Sequence, residues 1–539
     1  MSFWKCEVLT SFFPIIAQPS YRAVCRMSYI VSYLINYLSI HLSNYRRSHV
    51  CWHVYGLIYR SERNYNEAIK AYKQALRIDP GNFQILKDMG LLQMQMRDLE
   101  GFATTQRIIL ELRPNLKVNW LALALAKHMN GDARGAVDII DIFYGTLEEG
   151  CADLRKNYET SELAMYKNSI IAECEGPDGG SNCNWKEALD HLNANKDIIV
   201  DELARLKLSG FYQLQLGLFD AAKDTFFRLL ARGSTEDYSV HTGYMLSVLK
   251  INGDVAQKML KAKGAKTLSS MLVLTKEQKE LLLEDYQTNF KVDFPKSFAI
   301  KRITLTLLET DSEEWNSAMG AYIQSNIKRG VPSLGDDLSA LFIIPSTSSE
   351  KEYRIAKDPV EIKPHAAYKC VVGLVDGYIA SLEANSTFPN DDDAQPPSTL
   401  LWTWYLRVVL HELAGEYSAG IAVVDKCLDQ TPTGVDLYEL KARLLKGAGD
   451  IHAAVECLDK GRELDKQDRY INNQTTKYML QANKEDKALE RIALFTRHES
   501  DPAQNIFDMQ VTWYELELAA CYGRKNLLGK SLKKYGKWA

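Results

Sequence analysis

The chain has 539 residues, of which 46% are hydrophobic and 25% charged, the balance of an ordinary water-soluble protein with ample material for a core. Its 65 basic and 69 acidic residues leave a formal net charge of −4, which excludes a chain coated in basic charge for sequence-specific nucleic acid and leaves room only for local basic patches. The 10 cysteines are scattered, with no C-x-x-C pair and no Cys/His spacing for zinc. They read as buried thiols of a cytoplasmic protein, Cys427 and Cys457 included.

Residues 1–45 form an atypical N-terminal segment. The run MSYIVSYLINYLSIHL (27–42) is apolar but rich in Ser and Tyr, too short and too polar for a membrane span of about 20 apolar residues. The preceding SFFPIIAQPSYRAVCR is broken by proline and is a poor signal peptide. The favoured reading is a helix that covers the first helical repeat, with a membrane anchor as the minority reading.

A 34-residue beat then begins. Trp52, Gly56, Tyr59, Ala68, Tyr72, Ala75 and Pro80 stand at offsets 0, 4, 7, 16, 20, 23 and 28, the spacing of a tetratricopeptide repeat. Gly56 and Ala68 are small where two antiparallel helices approach most closely, and Pro80 ends the second helix. The phase continues in Gly90, Pro114, Trp120, Leu123, Ala124, Gly131 and Ala136, so three repeats start near 49, 83 and 117. A further helical pair spans 157–200, interrupted by the turn-rich loop EGPDGGSNC (175–183). Near 203 the beat returns with Leu206, Gly210, Ala222 and Phe226. From 237 to 385 helical periodicity persists while the consensus fades.

The stretch NSTFPNDDDAQPPST (385–399) combines three aspartates with prolines and reads as an exposed linker. Beyond it Trp404, Tyr417 and Pro432 fit a repeat from 401, Ala442, Gly449 and Ala454 one from 435, and Ala488 one from 469, while Trp513 opens another. The pattern stops at KSLKKYGKWA with no following repeat, which points to a longer protein. The expected organisation is all-α: helical hairpins stacked into a superhelical solenoid or horseshoe, with N-terminal repeats over 46–235, degenerate repeats over 236–384, the linker 385–399, and C-terminal repeats over 400–539. The aromatics at repeat phase, Trp52, Tyr59, Trp120 and Trp404, are assigned to the core.

Chemistry is hard to find. There is no phosphate loop, no H-E-x-x-H, no nucleophile elbow and no Q/R-x-x-G-x-G/A pyrophosphate loop for acetyl-CoA. His53, between Trp52 and Tyr55, reads as packed or half-exposed. His411 and Glu412 read as a pair on a helix surface. No catalytic or metal-ligating residues are assigned. Two features exceed the background. In VDLYELKARLLKGAGD, Arg443 and Lys446 share a face while Lys441 points roughly 140° away from Lys446; a solvated helix face is the plain reading. In LDKQDRYINN (464–473), Asp468 and Arg469 stand at a repeat junction, where helix capping by Asp468 is weighed against a partner contact.

Several runs, in order, resemble one family: RSHVCWHVYGL (47–57), NYNEAIKAYKQAL (64–76), LLQMQMRDLEG (91–101), RGVPSL (329–334), PNDDDAQPPSTLLW (389–402) and LDKQDRYINNQTTKYMLQAN (464–483). They resemble the auxiliary, non-catalytic subunit of the NatA N-terminal acetyltransferase complex over roughly 46–530. The resemblance implies a horseshoe of repeat helices that wraps a small catalytic acetyltransferase subunit, docks it on the ribosome, and shapes its site for nascent chains starting with Ser, Ala, Thr or Gly. It implies no acetyl-CoA binding and no enzyme activity of the chain itself. It also implies inositol hexakisphosphate held by basic residues of the LKARLLK segment, here Lys441, Arg443 and Lys446. Two departures stand out: 1–45 is unrelated to the family's first repeats, and the family continues for hundreds of residues past the end of this chain.

The rival is a generic tetratricopeptide adaptor of the co-chaperone kind, which clamps a peptide carboxylate with Lys, Asn and Arg at fixed positions. Arg60 and Asn64 suit such a clamp, but the next repeat offers Gln93 and Met94, a poor continuation.

Overall fold

A computed structural model of the chain describes residues 48–147, 156–175, 183–261, 271–346, 352–389, 391–497 and 501–536. Residues 1–45, the tip of the 175–183 loop and the last three residues lie outside this set. The chain divides into two compact units, Met1–Leu216 and Gly217–Ala539.

In the first unit the helices come as hairpins: α1 (His49–Ser61) with α2 (Tyr65–Ile78), α3 (Phe83–Gln95) with α4 (Leu99–Leu112), and α5 (Lys117–Met129) with α6 (Ala133–Gly145). Next come α7 (Tyr158–Glu173), α8 (Trp185–Ala194) and α9 (Glu202–Gln215). The beat is written into the backbone of the turns. Arg63, Arg97 and Gly131, spaced by 34, adopt φ of +61°, +64° and +89°, the left-handed residue that ends one helix before the next begins. The residue after the turn then caps the second helix: Asp98 accepts from the Gly101 N–H and Asp132 from the Gly135 N–H, each satisfying a first-turn donor. Within the first hairpin the close approach is real. Ala68 and Tyr72 are fully buried, and a Cβ on Gly56 would stand 2.3 Å from the Tyr72 ring.

The aromatics at repeat phase are not core. Trp52 and Tyr59 flank the core of the first hairpins, and Trp120 and Trp404 flank theirs; all four are half-buried. The rings cover the rim because an indole N–H needs a partner: that of Trp120 donates to the Pro114 carbonyl at 2.7 Å.

The second unit starts with α10 (Phe219–Ala231), α11 (Tyr238–Val248), α12 (Gly253–Leu260) and α13 (Lys276–Glu284), the last running into a π-helical turn over Asp285–Phe290. Beyond that turn lie α14 (Phe298–Leu307), α15 (Glu313–Arg329) and α16 (Leu334–Ser339). Here the all-helical reading of 236–384 needs an amendment. Strands β1 (Ile343–Pro345) and β2 (Tyr353–Ile355) pair antiparallel, Ile344 opposite Arg354. Three-residue strands are too short to show alternation in sequence. The short α17 (Pro359–Ile362) and the long α18 (Ala366–Asn385) complete this part.

Its core gathers Trp315, Phe342, Val371, Val375 and Leu410. Within the same unit Arg302, 1% exposed, donates from Nε to the Asp337 carboxylate at 3.1 Å, and the Tyr322 hydroxyl donates to the other oxygen at 2.6 Å. A buried guanidinium is tolerated because its partners are in place.

The described residues of the 386–396 connection are exposed or half-buried, apart from one. Phe388 is 1% exposed, its ring edge-on to Tyr378 at 5.3 Å. Lys328 lies over that ring and pairs with Asp391 at 3.1 Å.

Regular hairpins resume: α19 (Pro397–Leu413) with α20 (Tyr417–Gln430), α21 (Val435–Gly447) with α22 (Ile451–Leu464), and α23 (Arg469–Gln481) with α24 (Glu485–Ala493). The short α25 (Pro502–Asp508) precedes α26 (Thr512–Arg524) and α27 (Leu528–Tyr535). The turn signature repeats at Gly415, Gly449 and Asn483, with φ of +69°, +95° and +60°.

Candidate binding face of the C-terminal repeats

Helix α21 buries Leu437, Leu440, Ala442 and Leu444. Its charged residues therefore leave on two sides. The first helices of the hairpins pack in a row, α19 on α21 and α23 on α26, and Arg443 and Lys446 belong to that row's side. Arg443 Nη2 donates to Glu412 Oε2 on α19 at 2.9 Å. Lys446 Nζ stands 4.6 Å from the centre of the Tyr478 ring on α23, a cation–π arrangement. Lys441 leaves on the other side and pairs with Asp425 on α20 at 2.6 Å.

The electrostatics of this face are mixed. Burial lifts the Glu412 carboxyl above its usual range, and Arg443 pulls it back only in part. Burial pushes the Lys446 ammonium down, helped by the like charge of Lys477. Lys477 itself reaches Glu517 on α26 at 3.8 Å. Tyr470 donates to Glu439 at 2.7 Å. Arg443 Nε is buried with no hydrogen-bond partner, a donor aimed into the protein with nothing to receive it.

So the structure brings together Arg443, Lys446 and Lys477, and leaves Lys441 apart. Lys477 and Tyr478 were not singled out from sequence. Both lie in the run LDKQDRYINNQTTKYMLQAN, but nothing in a one-dimensional pattern says that they face Lys446 across two helices. In the same run, Asp468 accepts from the Tyr470 N–H at 2.7 Å, so capping accounts for it. Arg469 lies 5.1 Å from the Phe495 ring centre.

The two histidines singled out from the sequence are structural partners. His53 bonds to Asp88 at 2.8 Å. His411 is buried, 8% exposed, and bonds to Glu416 at 2.9 Å; the expected surface pair with Glu412 does not form, since Glu412 is taken by Arg443. The clamp residues of the rival reading are occupied too: Arg60 approaches Asp88 at 3.6 Å, and Gln93 is buried and accepts from Thr105. Among the described residues no group of His, Cys, Asp or Glu is placed to hold a metal ion, and no helix is long and apolar enough to cross a membrane.

Stacked helical hairpins with a 34-residue turn signature define a tetratricopeptide-repeat protein, and residues 56–96 match a tetratricopeptide repeat model. Residues 158–538 match the family model of the N-terminal acetyltransferase A auxiliary subunit, and the chain belongs to that family. It is 36% identical over 489 residues to the N-terminal acetyltransferase A complex auxiliary subunit NAA15 of Arabidopsis thaliana, covering 91% of this chain and 49% of that protein. It is 31% identical over 490 residues to human N-alpha-acetyltransferase 16, NatA auxiliary subunit, covering 90% and 50%. The chain thus spans about half the length of these curated relatives. A solved structure of Naa15/Naa10 bound to HypK-THB matches with a TM-score of 0.72 at 28% identity, over 96% of this chain and 68% of that one.

Proposed function

We propose that the chain is a non-catalytic scaffold that binds and organises the catalytic subunit of an N-terminal acetyltransferase of the NatA type. The observation that carries the reading is the match of 96% of the chain to a subunit solved in the Naa15/Naa10 assembly, together with its membership of the auxiliary family. A stack of helical hairpins offers an extended surface suited to holding another protein. Placement at the ribosome in the cytoplasm, acting on nascent chains, belongs to the same proposal.

The basic face is the second part. Arg443 and Lys446, joined by Lys477, suit a polyanion such as inositol hexakisphosphate, because guanidinium and ammonium donors stay charged at neutral pH and bond phosphate oxygens strongly. Lys441 contributes at most from the other side of α21.

Co-purification of the tagged chain with a catalytic subunit, followed by peptide acetylation assays, tests the reading. The expected result is a stable complex whose activity on Ser- or Ala-starting peptides differs from that of the catalytic subunit alone. Acetylation by the pure chain would contradict it.

A further inference from the structure

One position of the repeat, six residues before the left-handed turn, changes its chemistry between the two units. In the C-terminal hairpins it holds Val409, Arg443 and Lys477, ahead of Gly415, Gly449 and Asn483. In the first three hairpins it holds Leu57, Leu91 and Leu125, ahead of Arg63, Arg97 and Gly131. Leu57 is 39% exposed, and Leu91 and Leu125 are half-buried, so packing inside the hairpins does not consume them. Val50 and Val118, seven residues earlier on α1 and α5, lie on the same helical stripes and are 55% and 65% exposed. The row turns polar beyond Leu57 and Leu91, at Ser61 and Gln95 one turn on.

The middle of this row carries positive charge. Lys87, one turn before Leu91, stands 5.2 Å from the centre of the Phe83 ring, and the Arg113 guanidinium 3.9 Å from the same centre. Both cations are exposed, and among the described residues neither forms an ion pair with a carboxylate. The carboxylates nearest in sequence are taken, Asp88 by His53 and Arg60 and Glu111 by Arg107 at 3.6 Å. Two like charges thus share one ring with nothing opposite them, and the face asks for an occupant both apolar and acidic. Spacing fixes its form. His53 and Arg60 of α1 both reach Asp88 of α3, so these helices are neighbours, and packed helices stand about 8–10 Å apart. Residues seven apart on an α-helix lie about 10 Å apart on one face. We propose that this face of the first unit receives an acidic amphipathic helix of a partner protein, laid across α1, α3 and α5. It sets one apolar residue of each heptad against Leu57, Leu91 and Leu125, and a carboxylate on Lys87. The inference rests on the repeat, and on neither the catalytic subunit nor the polyanion proposed above.

The test is fluorescence anisotropy of the full chain with a labelled peptide of three heptads, leucine on one face and glutamate on the other, beside a copy with lysine for every glutamate. The parent chain is expected to bind the glutamate peptide and not the lysine peptide. Leu57→Ser and Lys87→Glu alter exposed side chains, and their melting temperatures should match the parent's. Leu57→Ser should weaken binding of the glutamate peptide roughly tenfold or more. Lys87→Glu should weaken it as much and let the lysine peptide bind, because the charge that selects between them is reversed. No binding by the parent chain, equal binding of the two peptides, or affinities untouched by both substitutions would overturn the proposal. Two further results would overturn it by naming another occupant. A doubled solution mass that Leu57→Ser returns to one copy would give the row to a second copy of the chain. A single-stranded oligonucleotide released by Lys87→Glu and retained by Leu57→Ser would give the cations to nucleic acid.

Discussion

Gly330 and Trp402 meet so closely that a Cβ on the glycine would stand 2.6 Å from the indole Nε1. Gly330 closes α15 in the left-handed conformation, φ +63°. The glycine comes from RGVPSL and the tryptophan from PNDDDAQPPSTLLW, so two runs that carry the family resemblance are two halves of one packing contact. Gly330→Ala should lose twice: a left-handed non-glycine residue costs about 1–2 kcal/mol, and pushing the indole aside adds about 1–3 kcal/mol. Thermal unfolding of the variant checks this. In a Trp402→Leu background only the backbone part should remain, and equal losses in both backgrounds would show that the ring is not in the way.

The first hairpin offers a second packing test. Gly56→Leu forces a side chain into the Tyr72 ring, which is fully buried and has nowhere to go. Overpacking of this kind should cost about 1–3 kcal/mol or more, seen as a lower melting temperature by circular dichroism. A stability equal to the parent's would mean that α1 and α2 separate easily, against the close approach of Gly56 and Ala68 to one helix–helix contact.

Asp459 joins two guanidinium groups, Arg462 Nε at 2.6 Å and Arg491 Nη2 at 3.1 Å. Burial alone would raise its carboxyl, but Arg491 and Arg462 outweigh burial and hold it below the usual carboxylate range. Arg462 is itself 3% exposed. Asp459→Ala takes from the buried Arg462 its hydrogen-bonded partner and leaves it only Glu463 at 3.8 Å, which should cost about 3 kcal/mol. Because the folded state binds this proton less readily than the unfolded chain, the contribution is present at neutral pH and is lost as pH falls below the ordinary carboxylate range. Denaturant unfolding at pH 7 and near pH 3 should show the variant's deficit shrinking in acid.

His191 acts in the same direction at higher pH. Burial, assisted by the Lys167 ammonium and opposed by Asp141, pushes it from 6.5 down to about 4. The folded state therefore takes up the proton less readily than the unfolded one. Stability should be full above pH 6.5 and decline as pH falls from there through about 4. His191→Gln should flatten that part of the curve, measured by melting temperature against pH. An unchanged slope would assign the decline to other groups.

The polyanion proposal has a separable form. Alanine at Lys441, Arg443 and Lys446 together should weaken inositol hexakisphosphate binding and flatten its salt dependence, by calorimetry at two ionic strengths. The geometry sharpens the expectation. Lys446→Ala with Lys477→Ala should weaken binding strongly by itself, and Lys441→Ala, whose ammonium is engaged by Asp425 on the other side of α21, only slightly. Equal affinity in the triple variant would leave these residues as a solvated helix face.

The sequence by itself determined the class of fold and the register of its repeats, because a 34-residue beat reflects local sterics. Gly56 and Ala68 must be small where helices touch, Pro80 must stop a helix, and Gly131, Gly415 and Gly449 suit a left-handed turn. These demands act within one hairpin, so they are visible in one dimension. Tertiary structure decided what happens between hairpins. It moved the Trp and Tyr of the beat from the core to its rim, where an indole N–H finds a carbonyl. It gave His411 to Glu416 and Glu412 to Arg443, split Lys441 from Arg443 and Lys446, and brought Lys477 and Tyr478 up beside Lys446. Phe388 was buried out of a linker that reads as exposed, and a two-stranded hairpin arose where helices were expected. Each of these depends on which surface lies against which, and that is set only when helices far apart in the chain pack together.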